Sequence, residues 1–127
     1  MAKKFDDSVF DAALAELATA TILHVCSAEP ANYAGIAAVS LADVTLTAGL
    51  GGGDWGAAAN GDVSGRKTTL AAQSAIPVDA SGTATHVVTA DVTNTTLQSA
   101  TTCTSQALTS GNTVTVPAHD YEFTDPA

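Results

Sequence analysis

The chain has 127 residues, a length suited to one domain. Folding at that size buries roughly two-thirds of the extended-chain surface. Its net charge is −9, from thirteen acids against four bases, so it lacks the Lys/Arg patch that phosphate neutralisation requires, and direct nucleic-acid binding is not expected.

Large core formers are scarce: one Trp, three Phe, two Tyr and one Met. The core must therefore come mainly from Val, Leu, Ile and Ala, which suits a layered β-structure or a chain stabilised by neighbours. Two bases, Lys3 and Lys4, are followed by Asp6 and Asp7 where the apolar part of a signal peptide would run, so no signal peptide is expected. No stretch reaches the roughly 18 apolar residues of a membrane span. Synthesis in the cytoplasm makes reduced thiols the expectation for Cys26 and Cys103, although one disulfide between them remains open.

The first predicted element is a helix over about 7–18. Asp6, Asp7 and Ser8 are capping residues, and Phe10, Ala13, Leu14 and Leu17 fall on one apolar stripe. The pattern then switches to period two. TILHVC (21–26) reads as a strand, and the Glu29-Pro30-Ala31-Asn32 run breaks it. VSLADVTLT (39–47) is the next strand, with Val44 and Leu46 opposite Asp43, Thr45 and Thr47.

The segment 49–65 holds seven of the ten glycines, the only tryptophan, and leads into Arg66-Lys67. A phosphate loop needs GxxxxGK[ST] before a helix. Here Gly61-Asp62-Val63-Ser64-Gly65 leaves three residues between glycines, Arg66 precedes Lys67, and a strand pattern follows. A dinucleotide fingerprint fails for the same reason, because Gly49 to Gly53 lead into no helix. Asp54, Asn60 and Asp62 offer oxygens to a cation, but Asn60-Gly61-Asp62 is also an ordinary turn. Trp55 is either a partner-facing anchor or a plug that folds back over the sheet end.

A strand over 67–72 follows, and 73–78 continues it or forms an edge, since Pro77 cannot donate to a ladder. Asp79 to Gly82 is a turn and TATHVVTAD (83–91) a clear strand. The segment 94–108 is rich in Thr, Ser and Gln. Ser110-Gly111-Asn112 reads as a hairpin-type turn into the alternating 113–116. After Pro117, Tyr121 and Phe123 share one face and Asp120 and Glu122 the other. The fold class expected is mainly β: an antiparallel β-sandwich or barrel of about seven or eight short strands with one short N-terminal helix. It is expected as a single domain, with the β-part over about 20–125. Nineteen threonines suit sheets with one wet or partner-facing side.

His24, Cys26, His86 and Cys103 can be drawn together as a zinc site, but no ligand spacing requires it, and a satisfied core histidine is the plainer reading. No GxSxG or similar nucleophile motif occurs. Asp120 and Glu122 read as a solvated acidic face rather than an acid–base pair. No catalytic residue, metal or cofactor is expected, and the chain is read as a non-enzyme.

The order of features resembles a group of small structural proteins of tailed bacteriophages. The likeness rests on FDDSVFDAALAELATAT, ILHVCSAEPANYA, DVSGRKTTLAAQ, VDASGTATHVVTAD and TSGNTVTVPAHDYEFTDP. The resemblance implies a virion protein, made in the host cytoplasm, that decorates or cements the capsid. A tail, neck or fibre-associated component is the alternative, and a carbohydrate-binding β-module resting on Trp55, Tyr33 and Tyr121 is another. The partners expected are the major capsid protein or other virion proteins, together with further copies of the chain in a homo-oligomer, as a trimer. Trp55, Arg66, Lys67, Phe5 and Phe10 are the candidate interface residues, with the two bases expected to meet carboxylates on a partner.

Overall fold

The computed structural model describes residues 4–126, so Lys3 lies outside the described residues. The chain is mainly β, with antiparallel sheets and a helix at its N-terminal end, as its composition predicts. It divides into two compact units, Met1–Thr19 with Thr47–Ala72 and Pro117–Ala127, and Ala20–Leu46 with Gln73–Val116.

The first unit opens with α1 (Asp7–Leu17). Asp6 caps it: its carboxylate accepts from the Ser8 N–H at 3.0 Å, and this bond lowers its pKa. Phe10, Leu14 and Leu17 form the buried stripe. A three-stranded sheet follows in the order β3 (Ala59–Asn60), β4 (Arg66–Leu70) and β9 (His119–Phe123). β4 and β9 are antiparallel in an unbroken register from Arg66 opposite Phe123 to Leu70 opposite His119. Alternation in β9 is the expected one: the Tyr121 ring lies 5.6 Å from that of Trp55, while Asp120 bonds Lys67 and Thr69.

The second unit holds a four-stranded antiparallel sheet in the order β2 (Ser40–Thr45), β1 (Ile22–Cys26), β6 (Gly82–Asp91) and β7 (Thr96–Leu108). A turn of 3-10 helix (Tyr33–Gly35) and the short α2 (Ile36–Val39) connect β1 to β2. These helical turns were not legible in ANYAGIAAV, which is too short for an apolar period. The Asn32 side chain caps them by accepting from Gly35 N–H at 2.9 Å. Ile36 then packs with Cys26, Val88 and Ala90 on one face of the sheet, beside Tyr33, Val39, Leu97 and Ala100.

β5 (Gln73–Pro77) pairs with β8 (Thr113–Val116) as a separate two-stranded ladder. The turn at Ser110–Asn112 is present, but it does not close a hairpin between β7 and β8. Val78 N–H donates to Asn112 O and Gly111 N–H to Val78 O, which draws β8 to β5, where Val114 and Val116 are buried with Ile76. Nine strands are found among the described residues, two more than the low end of the expected range. The additions are the two-residue β3 and the long β7, whose polar composition hid it.

Two backbone positions have a positive φ that sequence change can probe. Gly65 has φ +69°, and a Cβ there would run into the Phe123 carbonyl. Ala75 has φ 52° within the bulge that interrupts the β5–β8 register. Gly65→Ala is expected to destabilise by about 2 kcal/mol. Ala75→Gly is expected to stabilise by about 0.5–1 kcal/mol, because relief of the left-handed backbone outweighs added chain entropy. Urea midpoints of the two variants should therefore move in opposite directions from the parent.

Candidate functional site

The five residues singled out from the sequence all lie in the first unit, and the structure separates them into two groups. Trp55, Arg66 and Lys67 are turned into the protein's own framework. Phe5 and Phe10 form part of an aromatic cluster that reaches the surface.

Trp55 is fully buried. It forms a β-bridge with Leu70, and the loop around it is knitted back to β4. Gly56 N–H donates to Thr69 O at 2.8 Å, Ala71 N–H to Asp54 O at 2.7 Å, and the Thr68 hydroxyl to Gly56 O at 2.7 Å. Of the two readings of Trp55, the plug is the one found. Its indole has no surface to offer a partner or a sugar, because pairing with β4 and β9 supplies the local core that its glycine neighbours cannot.

The basic pair also finds its carboxylates within the chain. Arg66 Nε donates to Asp11 Oδ1 at 2.8 Å, and its Nη1 to Asn60 Oδ1 at 2.9 Å. Lys67 Nζ sits 2.7 Å from Asp62 Oδ1 and 3.0 Å from Asp120 Oδ2. The expectation that these bases wait for a partner's acids is therefore corrected: adjacent residues on β4 project to opposite faces, and each face presents acids of the same unit. Hydrogen bonds that Lys67 donates to Asp62 and Asp120 raise its pKa. Bonds from Thr69 and then Lys67 lower that of Asp120.

The same bonds account for the oxygens considered for a cation. Asp54 accepts from Thr47 N–H at 2.6 Å, Asn60 faces Arg66, and Asp62 faces Lys67. They do not converge on one point. On β1 and β6, Cys26 pairs in register with His86, and His24 lies two residues along the same face. However, His24 Nδ1 bonds the Ser40 hydroxyl at 2.8 Å and His86 Nδ1 the Thr85 hydroxyl at 2.9 Å. Burial pushes the Cys26 thiol up to about 11 and lowers the His24 pKa. Cys26 and Cys103 are both unpaired. Among the described residues no group of three His, Cys, Asp or Glu is placed to hold a metal ion.

The aromatic cluster has a different character. Phe10 is buried on α1 and touches two rings: Phe5 edge-on at 5.6 Å and Phe123 stacked at 6.4 Å. Phe5 is 49% exposed, Phe123 39% and Val9 on α1 53%. Phe5 N–H donates to Asp125 Oδ1 at 3.3 Å, and Asp125 N–H to Ser64 Oγ at 3.0 Å, so the rings are held between the two chain-terminal segments. Exposed aromatic surface on a fixed backbone is the kind of feature that a partner covers. Phe123 and Val9 were not singled out from the sequence. The signal for Phe123 was its place on the Tyr121 face of β9.

No family model, curated protein or solved structure matches the chain.

The Lys67 network predicts a pH response. Asp120, depressed in the fold, contributes stability that is present above the ordinary carboxylate range and lost as pH falls through its lowered value. Lys67, raised in the fold, contributes below the ordinary lysine range and loses that contribution as pH rises through its raised value. Protection factors of the amides at 62–69, taken from NMR exchange rates corrected for their intrinsic pH dependence, should fall at both extremes. Asp120→Asn should flatten the acid arm.

Proposed function

We propose that the protein is a non-enzymatic structural component of a tailed-bacteriophage virion that decorates or cements the head by binding neighbouring subunits. The observation that carries this reading is the aromatic cluster in which the exposed Phe5 and Phe123 rings pack on the buried Phe10, with Val9 exposed one position before Phe10 on α1. It joins helix and sheet at one surface and sets rigid apolar rings where a partner's pocket can take them. The sequence resemblance supplies the class of partner, the major capsid protein or another virion protein. The threonine-rich, acidic surface supports the same reading, since it keeps the free chain soluble before assembly. A tail or neck position uses the same chemistry and differs in copy number.

Mass spectrometry of purified virions is expected to find on the order of hundreds of copies per particle, whereas about six or twelve would place the chain at the neck or tail. Its absence from particles would overturn the reading. The double variant Phe5→Ser, Val9→Ser should fold with an unchanged far-UV spectrum and lose about tenfold in particle occupancy. Full occupancy would remove the cluster from the interface.

A further inference from the structure

The two segments that build the aromatic cluster are strongly acidic. Residues 1–16 carry Asp6, Asp7, Asp11 and Glu16 against Lys3 and Lys4, and residues 117–127 carry Asp120, Glu122 and Asp125 with no Lys or Arg. Two of these acids are answered inside the fold, Asp11 by Arg66 and Asp120 by Lys67. Glu122 points to the face of β9 opposite Phe123 and accepts from Val63 N–H. Asp6, Asp7, Glu16 and Asp125 form no ion pair among the described residues.

These four acids border the exposed rings. Helical spacing puts Asp6 and Glu16, three residues before Val9 and seven after it, on Val9's side of α1 and its cap. Asp125 accepts from Phe5 N–H at 3.3 Å and stands two residues beyond Phe123. Asp6 and Asp7 line a surface hollow with Lys4, two acids to one base. Asp6, Asp7, Val9 and Glu16 are all exposed. The apolar part of the surface is set before any partner arrives, because Phe10 holds Phe5 edge-on and Phe123 stacked. Little ordering cost is then left for binding.

We infer that the occupant of this surface is a basic protein face, in which an apolar pocket takes the Phe5 and Phe123 rings and Lys or Arg at its edge pair with Asp6, Asp7, Glu16 and Asp125. The inference rests on the reading of the aromatic cluster as a binding surface and adds the chemistry of the partner. Charge selects that occupant. A second copy of the chain would bring the same acids to the same rim, and nucleic acid or an anionic bilayer would bring phosphates, so each is repelled. A basic rim is instead steered in, and its ion pairs strengthen once the rings exclude water from around them. Arginine suits the rim best, because its planar fork meets a carboxylate with two hydrogen bonds.

NMR titration of the full chain with a synthetic amphipathic helix of Leu and Lys tests this, with a second peptide carrying Glu in place of each Lys as the control. The Lys peptide should shift the signals of Phe5, Val9 and Phe123 with a Kd on the order of 100 μM at about 50 mM salt, weakened at least about tenfold at about 500 mM. Asp7→Asn with Glu16→Gln, both at exposed positions, should weaken binding about three- to tenfold with an unchanged far-UV spectrum. Phe5→Ser with Val9→Ser should abolish it. Shifts from neither peptide, or equal shifts from both, would overturn the inference. So would Lys-peptide binding that survives Phe5→Ser, Val9→Ser, since that is attraction to the whole −9 chain and not to this surface. A parent dimer, seen by sedimentation and lost in the same variant, would also overturn it. None of these measurements uses a virion, so absence of the chain from particles removes the proposed function and leaves this result standing.

Discussion

The pairing of β4 with β9 is the constraint on which the first unit rests. It brings the last strand of the chain against a strand from the middle, in unbroken register from Arg66 opposite Phe123 to Leu70 opposite His119. Once that ladder forms, Tyr121 covers Trp55, Asp120 reaches Lys67 and Thr69, and Phe123 lies under Phe10. Without it the glycine-rich loop has no surface to lie on. Closing so long a loop costs entropy, and the ladder, the buried indole and the ring stack together offset that cost.

The same ladder explains why the basic pair finds its carboxylates within the chain. Arg66 and Lys67 alternate across β4, so their charges leave the sheet on opposite faces. One meets α1 through Asp11; the other meets the loop through Asp62 and the last strand through Asp120. Partly exposed pairs of this kind are individually weak. Their larger effect is to set where the helix and the loop lie on the sheet.

Much of the architecture was legible in advance because local patterns are strong there. The Asp6 cap and the Phe10–Leu14–Leu17 stripe announce α1, and TILHVC, VSLADVT and TATHVVTAD alternate or run apolar as strands do. Legibility failed where pattern is weak or partners are distant. TLQSATTCTSQAL has too few apolar residues to read as a strand, yet it is held along β6 from Asp91 to Gly82. The Ser110–Asn112 turn looked like a hairpin, but the choice between β7 and β5 as partner for β8 is made by burial of Val114 and Val116.

Sequence alone determined the acidic balance, the β class, the capped helix and the absence of a phosphate-loop spacing, because each depends on residues near one another in the chain. Tertiary structure decided the fate of GLGGGDWGAAANGDVSGRK. Only there do Leu70 and Tyr121 arrive to bury Trp55, and Asp11, Asp62 and Asp120 arrive to hold Arg66 and Lys67. Several of these partners are far away along the chain, and no local period encodes which distant strand will lie alongside. The exposed rings of Phe5 and Phe123 follow from the same meeting of the two chain-terminal segments, so which aromatic surface stays in solvent was also decided in three dimensions.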